Sequence, residues 1–145
     1  MASNSVWSKR ELWFGLPIAL GILVFIGWLI QQYLGARTKA EEAVSLLRDP
    51  ERSDASRAEL FDESISDLSD ASLALLIDEI SKSRGALHTE QTGFSGTWPI
   101  VPFSCFSGEL TGSDRFWLVV TRRNDRWAIT TLSKNERPKI CEYEH

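Results

Sequence analysis

The feature that most constrains this chain is an uncharged stretch near the N-terminus, which extends from Leu12 to Ala36. Its most apolar part, from Leu12 to Leu34, contains 23 residues. A helix of that length measures roughly 34 Å, and the hydrocarbon core of a bilayer is about 30 Å thick. We therefore predict one transmembrane helix at residues 12–34, preceded by a short tail at residues 1–11.

The residues at both ends of this stretch also fit a membrane crossing. Trp13 and Phe14 lie near its start, and Trp28 and Tyr33 lie near its end. Amphipathic aromatic rings prefer the headgroup level of a bilayer. Pro17 lies close to the helix start, where its missing N–H is best tolerated.

A cleaved secretory signal is the alternative interpretation, because Lys9 and Arg10 precede the apolar run. The apolar region of a signal is usually about 7 to 15 residues long and ends at a small-residue cleavage site. This run is longer, and only Leu34-Gly35-Ala36 resembles such a site. No cysteine precedes Cys105, which excludes a lipoprotein anchor. The length of the run favours a retained anchor.

The basic residues beside the span do not decide its orientation. Lys9 and Arg10 lie before it, and Arg37 and Lys39 follow it, so the two sides are equal. The short N-terminal tail and the two cysteines of the C-terminal part favour a cytoplasmic N-terminus and a periplasmic or otherwise extracytoplasmic domain. The reverse orientation is the alternative.

A juxtamembrane helix and a linker are predicted at residues 35–52. Ala40, Val44 and Leu47 recur at helical spacing, and Asp49-Pro50 ends the pattern. The helix occupies residues 36–48 and can continue from the span.

Two further helices are predicted before residue 86. The first begins near Ser53 or Asp54, whose side chains accept hydrogen bonds from the free N–H groups of a helix start. Its apolar residues are Ala58, Phe61 and Ile65. The second begins at Ser69 or Asp70, and Gly85 follows it at the position of a left-handed cap. Its apolar stripe consists of Leu73, Leu76, Ile77 and Ile80.

β-Branched and aromatic residues interrupted by turn residues predict strands from residue 86 onward. Residues 115–122 and 127–132 alternate in side-chain type on either side of Arg123-Asn124-Asp125, which predicts an antiparallel hairpin. In the second strand, one face is expected to carry Trp127, Ile129 and Thr131, and the other Ala128, Thr130 and Leu132. Earlier strands are predicted at residues 86–92 and 103–111.

The predicted fold class is α+β. Two or three helices pack on a small antiparallel sheet of four strands, behind one N-terminal transmembrane helix. The α+β domain covers residues 53–133, and residues 134–145 form a C-terminal tail. Residues 35–145 contain 14 basic and 19 acidic residues and carry a net charge of −5, which argues against nucleic-acid binding because that needs a basic face.

The final hairpin, FWLVVTRRNDRWAITTL, carries a resemblance to a known fold. Together with a single span and a run of helices, it resembles the small cone-shaped domains of the nuclear-transport-factor and cystatin type that follow membrane anchors in bacteria. The resemblance covers about residues 36–133, and its most specific element is Asn124-Asp125-Arg126-Trp127-Ala128-Ile129. It implies a cone-shaped domain with a pocket at its mouth.

A second resemblance is to the single-span cytochrome oxidase assembly factors. The order of tail, span, short helix (AEEAVSLLRDPE) and Gly-punctuated strands (FSGELTGSDRFWLVVTRRNDRWAITTL) is similar. The chain departs from that family at residues 54–84, where further helices are predicted, and it lacks a Leu-Gly-x-Pro-Ile element. This resemblance implies an assembly role in a respiratory complex.

No catalytic or metal-binding signature occurs in the sequence. The two histidines and two cysteines lack zinc-ligand spacing, so neither a metal nor a cofactor is expected. His88 and Glu90 are two residues apart on a predicted strand and share a face, so they form either an acid/base pair or a solvated pair at the rim. A Cys105 nucleophile beside His88 is a further alternative.

Cys105 and Cys141 have a structural use outside the cytoplasm, where a disulfide between them staples the tail to the sheet. In a cytosolic domain they remain two reduced thiols. The aromatic segment from Phe94 to Phe103, which includes Trp98, either contacts a ligand or partner or covers the open end of a small core. Trp117 is assigned to the same contact surface.

These patterns lead to two hypotheses about function. The first is a non-enzymatic single-pass membrane protein whose domain binds another membrane protein, as an accessory or assembly subunit of a complex. The second is a cone-shaped domain that binds or transforms a small apolar ligand, with His88, Glu90 and Trp98 converging on one cavity.

Overall fold

The computed structural model describes residues 9–49, 51, 59–61, 71–96 and 98–142, with side chains from Phe14 onward. The chain divides into an N-terminal unit, Met1–Gln32, and a C-terminal unit, Tyr33–His145. In chain order the elements are α1 (Lys9–Arg48), α2 (Ala71–Lys82), β1 (Leu87–Phe94), β2 (Pro102–Glu109), β3 (Arg115–Arg123), β4 (Arg126–Lys134) and a 3₁₀ turn (Lys139–Cys141). One antiparallel sheet of four strands with helices confirms the predicted α+β class.

Helix α1 is apolar on every side in the N-terminal unit. Eleven large apolar side chains between Phe14 and Ile30 are each at least 42% exposed. A helix that is apolar all round belongs in a protein core or in a bilayer. This part of α1 is long and apolar enough to cross a membrane.

In the C-terminal unit, α1 continues to Arg48 and becomes amphipathic. The predicted residues Ala40, Val44 and Leu47 are all buried. They are joined by Ala36 and Ala43, which are fully buried as well. Small alanine side chains on this face allow the helix axis to approach the sheet closely.

The helix predicted to begin near residue 53 falls largely outside the described residues. Residues 59–61 are described, and they are not helical. Leu60 and Phe61 run beside β4, where the Ile129 N–H donates to the Leu60 carbonyl at 3.0 Å. The helical prediction at Phe61 is therefore wrong, because this residue forms an isolated parallel bridge to Ile129 at the edge of β4, after a turn at residues 59 and 60.

Helix α2 begins at Ala71, next to the predicted start. Its stripe of Leu73, Leu76 and Ile80 is buried as predicted. The prediction of a left-handed cap at Gly85 is wrong, since positive φ among the described glycines occurs only at Gly112. Gly85 instead lies against β2, where a Cβ would come 3.3 Å from Glu109 Cβ.

The strands form an antiparallel meander in the order β1-β2-β3-β4. The predicted hairpin is β3–β4, and Asn124 and Asp125 form its turn with φ of 49° and 59°. Two consecutive positive φ values give the turn whose twist matches the flanking strands, and Asn and Asp tolerate them.

A bulge in β4 changes the predicted alternation of its side chains. Val119 pairs with Thr131, whereas Val120 pairs with Ile129, which leaves Thr130 as an extra residue. Leu132 therefore returns to the face of Ile129 and packs against the main core. The prediction that these two residues lie on opposite faces is wrong.

The two faces of the sheet bury separate cores. The helix face packs against α1 and α2 and carries Phe106, Phe116, Leu118, Val120 and Ile129. The opposite face, here called the disulfide face, buries Phe103, Cys105 and Val119 together with Cys141 of the C-terminal segment.

Three contacts fix the direction of α1 along the helix face. The hydroxyls of Tyr33 and Thr89 lie 3.5 Å apart. Gly35 lies against the indole of Trp127, next to the β3–β4 turn. At the far end, Arg48 donates to the Gly85 carbonyl at 2.7 Å, just before β1.

The Gly35 contact yields a stability prediction. A Cβ at Gly35 would lie 2.7 Å from Trp127 Nε1, so Gly35→Ala requires the indole of Trp127 or the helix to shift. Alanine gains about 1 kcal/mol in helix propensity, but we expect a net loss of roughly 1–2 kcal/mol because overpacking costs more. Thermal unfolding of the full chain in detergent measures the change.

The matched control is Gly27→Ala in the same helix, where a Cβ meets no heavy atom within 4 Å. This variant is expected to keep or raise the midpoint temperature of thermal unfolding. Equal midpoints for the two variants would contradict a close contact at Gly35.

Candidate functional site

A groove lies on the disulfide face, between the β1–β2 loop, the β3–β4 turn and the C-terminal segment. Its two lobes have volumes of about 690 and 520 Å³. Arg123 and Ile140 line both lobes, so the lobes adjoin. The loop contributes Pro99 and Val101, and the C-terminal segment contributes Arg137 and Lys139.

The disulfide holds one wall of the groove in place. Cys105 in β2 is bonded to Cys141, with Cα atoms 6.0 Å apart, and both residues are fully buried. The 3₁₀ turn closes on itself through the Cys141 N–H, which donates to the Pro138 carbonyl at 2.8 Å. A Cys105 engaged in this bond has no thiolate, so the structure excludes the nucleophile alternative for it.

The β1–β2 loop, residues 95–101, forms the second wall and is closed at its base. The Ser95 N–H donates to the Val101 carbonyl at 2.9 Å, and the Val101 N–H donates to Ser95 Oγ at 2.9 Å. Ser95 Oγ also donates to the Pro99 carbonyl at 3.2 Å. This base presents Trp98 and Ile100 to solvent, 90% and 62% exposed.

The aromatic residues predicted as one contact surface are separated by the fold. Trp98 and Phe94 are exposed, whereas Phe103 is 5% exposed and belongs to the disulfide core. Trp117 is half-buried, with the Arg137 guanidinium 5.2 Å above its ring centroid. The structure therefore brings Trp98, but not Phe103 or Trp117, to an exposed loop.

The groove is basic although the chain carries a net charge of −4. Its lining includes Arg122, Arg123, Arg137 and Lys139 against the single carboxylate of Glu136. Such a surface favours anionic ligands. This basic groove was not predicted from the sequence, because the four cations come from two segments that only the disulfide and the hairpin bring together. The one local indication of this groove in the sequence was the pair Arg122-Arg123 beside the predicted turn.

His88 and Glu90 do not form an enclosed acid/base site. A bulge between Thr89 and Gln91 makes Glu90 the extra residue of β1. The Glu90 carboxylate accepts a hydrogen bond from Ser107 Oγ, and Ser107 is the residue paired with His88. Both side chains are exposed on an edge strand.

Trp98 lies beyond the other end of β1, so it does not converge with His88 and Glu90. The four residue-to-residue steps from Glu90 to Phe94 already span about 13 Å of strand. Neither lobe of the groove is lined by His88, Glu90 or Trp98. Among the described residues, no group of three or more His, Cys, Asp or Glu side chains is placed to hold a metal ion.

Comparisons with known proteins do not assign this site. No family model, no curated protein and no solved structure matches the chain.

A charged cluster ties the elements together at the end of the sheet away from the groove's loop. Lys134 Nζ lies 2.7 Å from Glu79 of α2 and 3.1 Å from Asp114. Hydrogen bonds from Asn135 and Lys134 lower the pKa of the Asp114 carboxyl. Hydrogen bonds to Glu79 and Asp114 raise the pKa of the Lys134 ammonium.

Removal of the Cys105–Cys141 disulfide is expected to lower the unfolding free energy strongly. Its partners are 36 residues apart, and closing a loop of that length is worth about 4 kcal/mol on the chain-entropy account. We expect the double variant Cys105→Ser and Cys141→Ser to lose about that much unfolding free energy, and reduction of the unmodified chain to do the same. Thermal unfolding in detergent measures both. Reaction of both cysteines with a maleimide before reduction would contradict the bond.

The lowered pKa of Asp114 is expected to make the stability of the fold depend on pH. Because the pKa of Asp114 is lower in the folded than in the unfolded chain, its carboxylate stabilises the fold above about pH 4. That contribution is lost as the pH falls through the folded-state pKa. We expect Asp114→Asn to lower the thermal midpoint at pH 7 and to flatten its decrease towards pH 3. The control is Asp125→Asn at the exposed β3–β4 turn, and an equal flattening there would contradict the assignment.

Proposed function

We propose that this chain is a non-enzymatic single-pass membrane protein whose C-terminal domain binds another protein of the membrane. In that role it is an accessory or assembly subunit of a membrane complex. A respiratory complex is the specific candidate, on the resemblance to cytochrome oxidase assembly factors.

The main support for the proposal is the way in which the exposure of apolar side chains changes along helix α1. Exposed apolar side chains surround it from Phe14 to Ile30, and a buried stripe begins at Ala36. The first part needs a lipid environment, because that much exposed apolar surface is not stable in water. The second part supplies the core of the C-terminal unit. A domain built on the continuation of an anchor helix stays beside the bilayer, where its partner is expected.

The disulfide supports a location outside the cytoplasm. Disulfides form and persist in oxidising compartments and are rare in the cytosol. Cys105 and Cys141 are the only cysteines of the chain, and they are paired. This favours an extracytoplasmic domain and a cytoplasmic N-terminal tail.

The character of the surface favours binding over catalysis. Trp98 and Ile100 are large apolar side chains that the loop base holds in solvent, and the groove beside them is open and basic. The residues predicted for acid/base work, His88 and Glu90, lie on an exposed edge strand. Exposed aromatic and arginine side chains contribute strongly to the energy of protein interfaces.

Native gel electrophoresis after solubilisation in a mild detergent tests the proposal. We expect the chain to migrate in a particle well above its 16.4 kDa mass, with a defined set of co-migrating membrane proteins identified by mass spectrometry. Migration of the chain alone in its detergent micelle would overturn the accessory-subunit role.

A chimaera separates the contributions of the two units. Residues 12–32 are replaced by an unrelated single-pass span, and residues 33–145 are kept. Tyr33 and Leu34 are retained at the junction, because they belong to the C-terminal unit and Tyr33 contacts Thr89. If the C-terminal domain carries the interaction, the chimaera migrates with the same proteins. Loss of those proteins would assign the interaction to the span instead.

A further inference from the structure

The meander brings two exposed features to the same end of the sheet. In an antiparallel sheet, the end of β1, the start of β2, the end of β3 and the start of β4 share one edge. The β1–β2 loop, residues 95–101, and the β3–β4 turn, residues 124–125, therefore lie side by side. Pro99 of the loop and Arg123 and Asn124 of the hairpin line the same lobe of the groove. We call this edge the turn end.

Contacts within the C-terminal unit show which part of α1 lies at the turn end. Gly35 lies against Trp127, which is the second residue of β4. At the opposite end, Arg48 binds the Gly85 carbonyl just before β1. Within this unit, Gly35 therefore lies towards the turn end and Arg48 towards the opposite end, while the Tyr33 side chain reaches Thr89, the third residue of β1.

The turn end carries exposed side chains of the kind found at membrane interfaces. Trp98 is 90% exposed and Ile100 is 62% exposed. Hydrogen bonds between Ser95 and Val101 fix the loop that presents them. Tryptophan is enriched at the headgroup level, where its apolar ring and its N–H are both accommodated.

Arginines accompany these apolar side chains. Arg122 and Arg123 end β3, and Arg126 begins β4. Asp125 is the carboxylate of the turn, 3.3 Å from Arg122. Guanidinium groups bind phosphate with paired hydrogen bonds, and anionic lipids give a bilayer surface a negative potential. An acidic domain that concentrates arginines at this end is matched to an anionic surface.

From this placement we propose that the turn end of the C-terminal unit rests on the bilayer surface. Trp98 and Ile100 insert at headgroup level, and the arginines of the β3–β4 hairpin bind anionic lipid phosphates. The proposal rests on the proposed function only in that α1 crosses the membrane. The faces of the domain away from this end remain open to a protein partner.

A fluorescent label at the loop tests the proposal with the full chain. Ile100→Cys is labelled with an environment-sensitive fluorophore, without reduction, so that the Cys105–Cys141 bond is kept. The chain is reconstituted into vesicles of phosphatidylcholine with about 30% phosphatidylglycerol, which gives a negative surface potential. We expect blue-shifted emission and several-fold stronger quenching by lipids spin-labelled near the headgroup than in vesicles of phosphatidylcholine alone.

The matched control is Ser113→Cys in the β2–β3 loop, at the opposite end of the sheet. It is exposed, and its label is expected to emit as in water in both vesicles. Combining Ile100→Cys with Arg122→Gln, Arg123→Gln and Arg126→Gln is expected to remove the dependence on phosphatidylglycerol. Water-like, unquenched emission at residue 100 in anionic vesicles would overturn the proposal, as would equal quenching at residue 113.

Two further readouts separate this proposal from the proposed function. Resistance of the reconstituted chain to alkaline carbonate extraction establishes the span independently of the label. Since these vesicles contain no other protein, quenching at residue 100 reports lipid contact whether or not a partner is found on native gels. A label that is buried in native membranes but water-exposed in anionic vesicles would assign the loop to a protein partner and overturn lipid docking.

Discussion

Helix α1 changes along its length from apolar on all sides to amphipathic, and the packing of the C-terminal unit depends on the amphipathic part. Up to Ile30, α1 is apolar on all sides. From Ala36, its buried apolar residues narrow to one stripe, half of them alanines, which packs directly on the sheet. Gly35 lies at the change, where the indole of Trp127 occupies the space a side chain would need. The core of the C-terminal unit is therefore assembled on the amphipathic part of α1.

The sheet that packs on this helix has two buried faces made in different ways. The helix face is covered by α1 and α2, as is usual for an α+β fold. The disulfide face is covered over part of its area by the short C-terminal segment, held by Cys105 and Cys141. A segment this short cannot bury enough apolar surface to remain in place by itself. The covalent bond supplies that constraint and, with it, one wall of the basic groove.

The proposed roles follow from how this arrangement distributes exposed groups. Exposed apolar and cationic side chains lie together at the turn end of the sheet. The charged cluster of Lys134, Glu79 and Asp114 lies at the other end and ties α2 to the sheet. In the proposed arrangement, one end of the domain contacts lipid and its other surfaces stay exposed. This is compatible with an accessory subunit, which would present those surfaces to a partner beside the bilayer.

The sequence by itself determined the elements whose signals are local. The length of the apolar run, the stripe of α2 and the β3–β4 turn at Asn124-Asp125 follow from hydropathy, helical spacing and tolerance of positive φ. Features that depend on contacts between residues far apart in the chain could not be predicted from the sequence. The bulge that returns Leu132 to the core face is selected by strand pairing, and the bridge of Phe61 to Ile129, in place of a helix, is selected by the edge of β4. The basic groove likewise exists only because tertiary structure joins residues that are far apart in the chain.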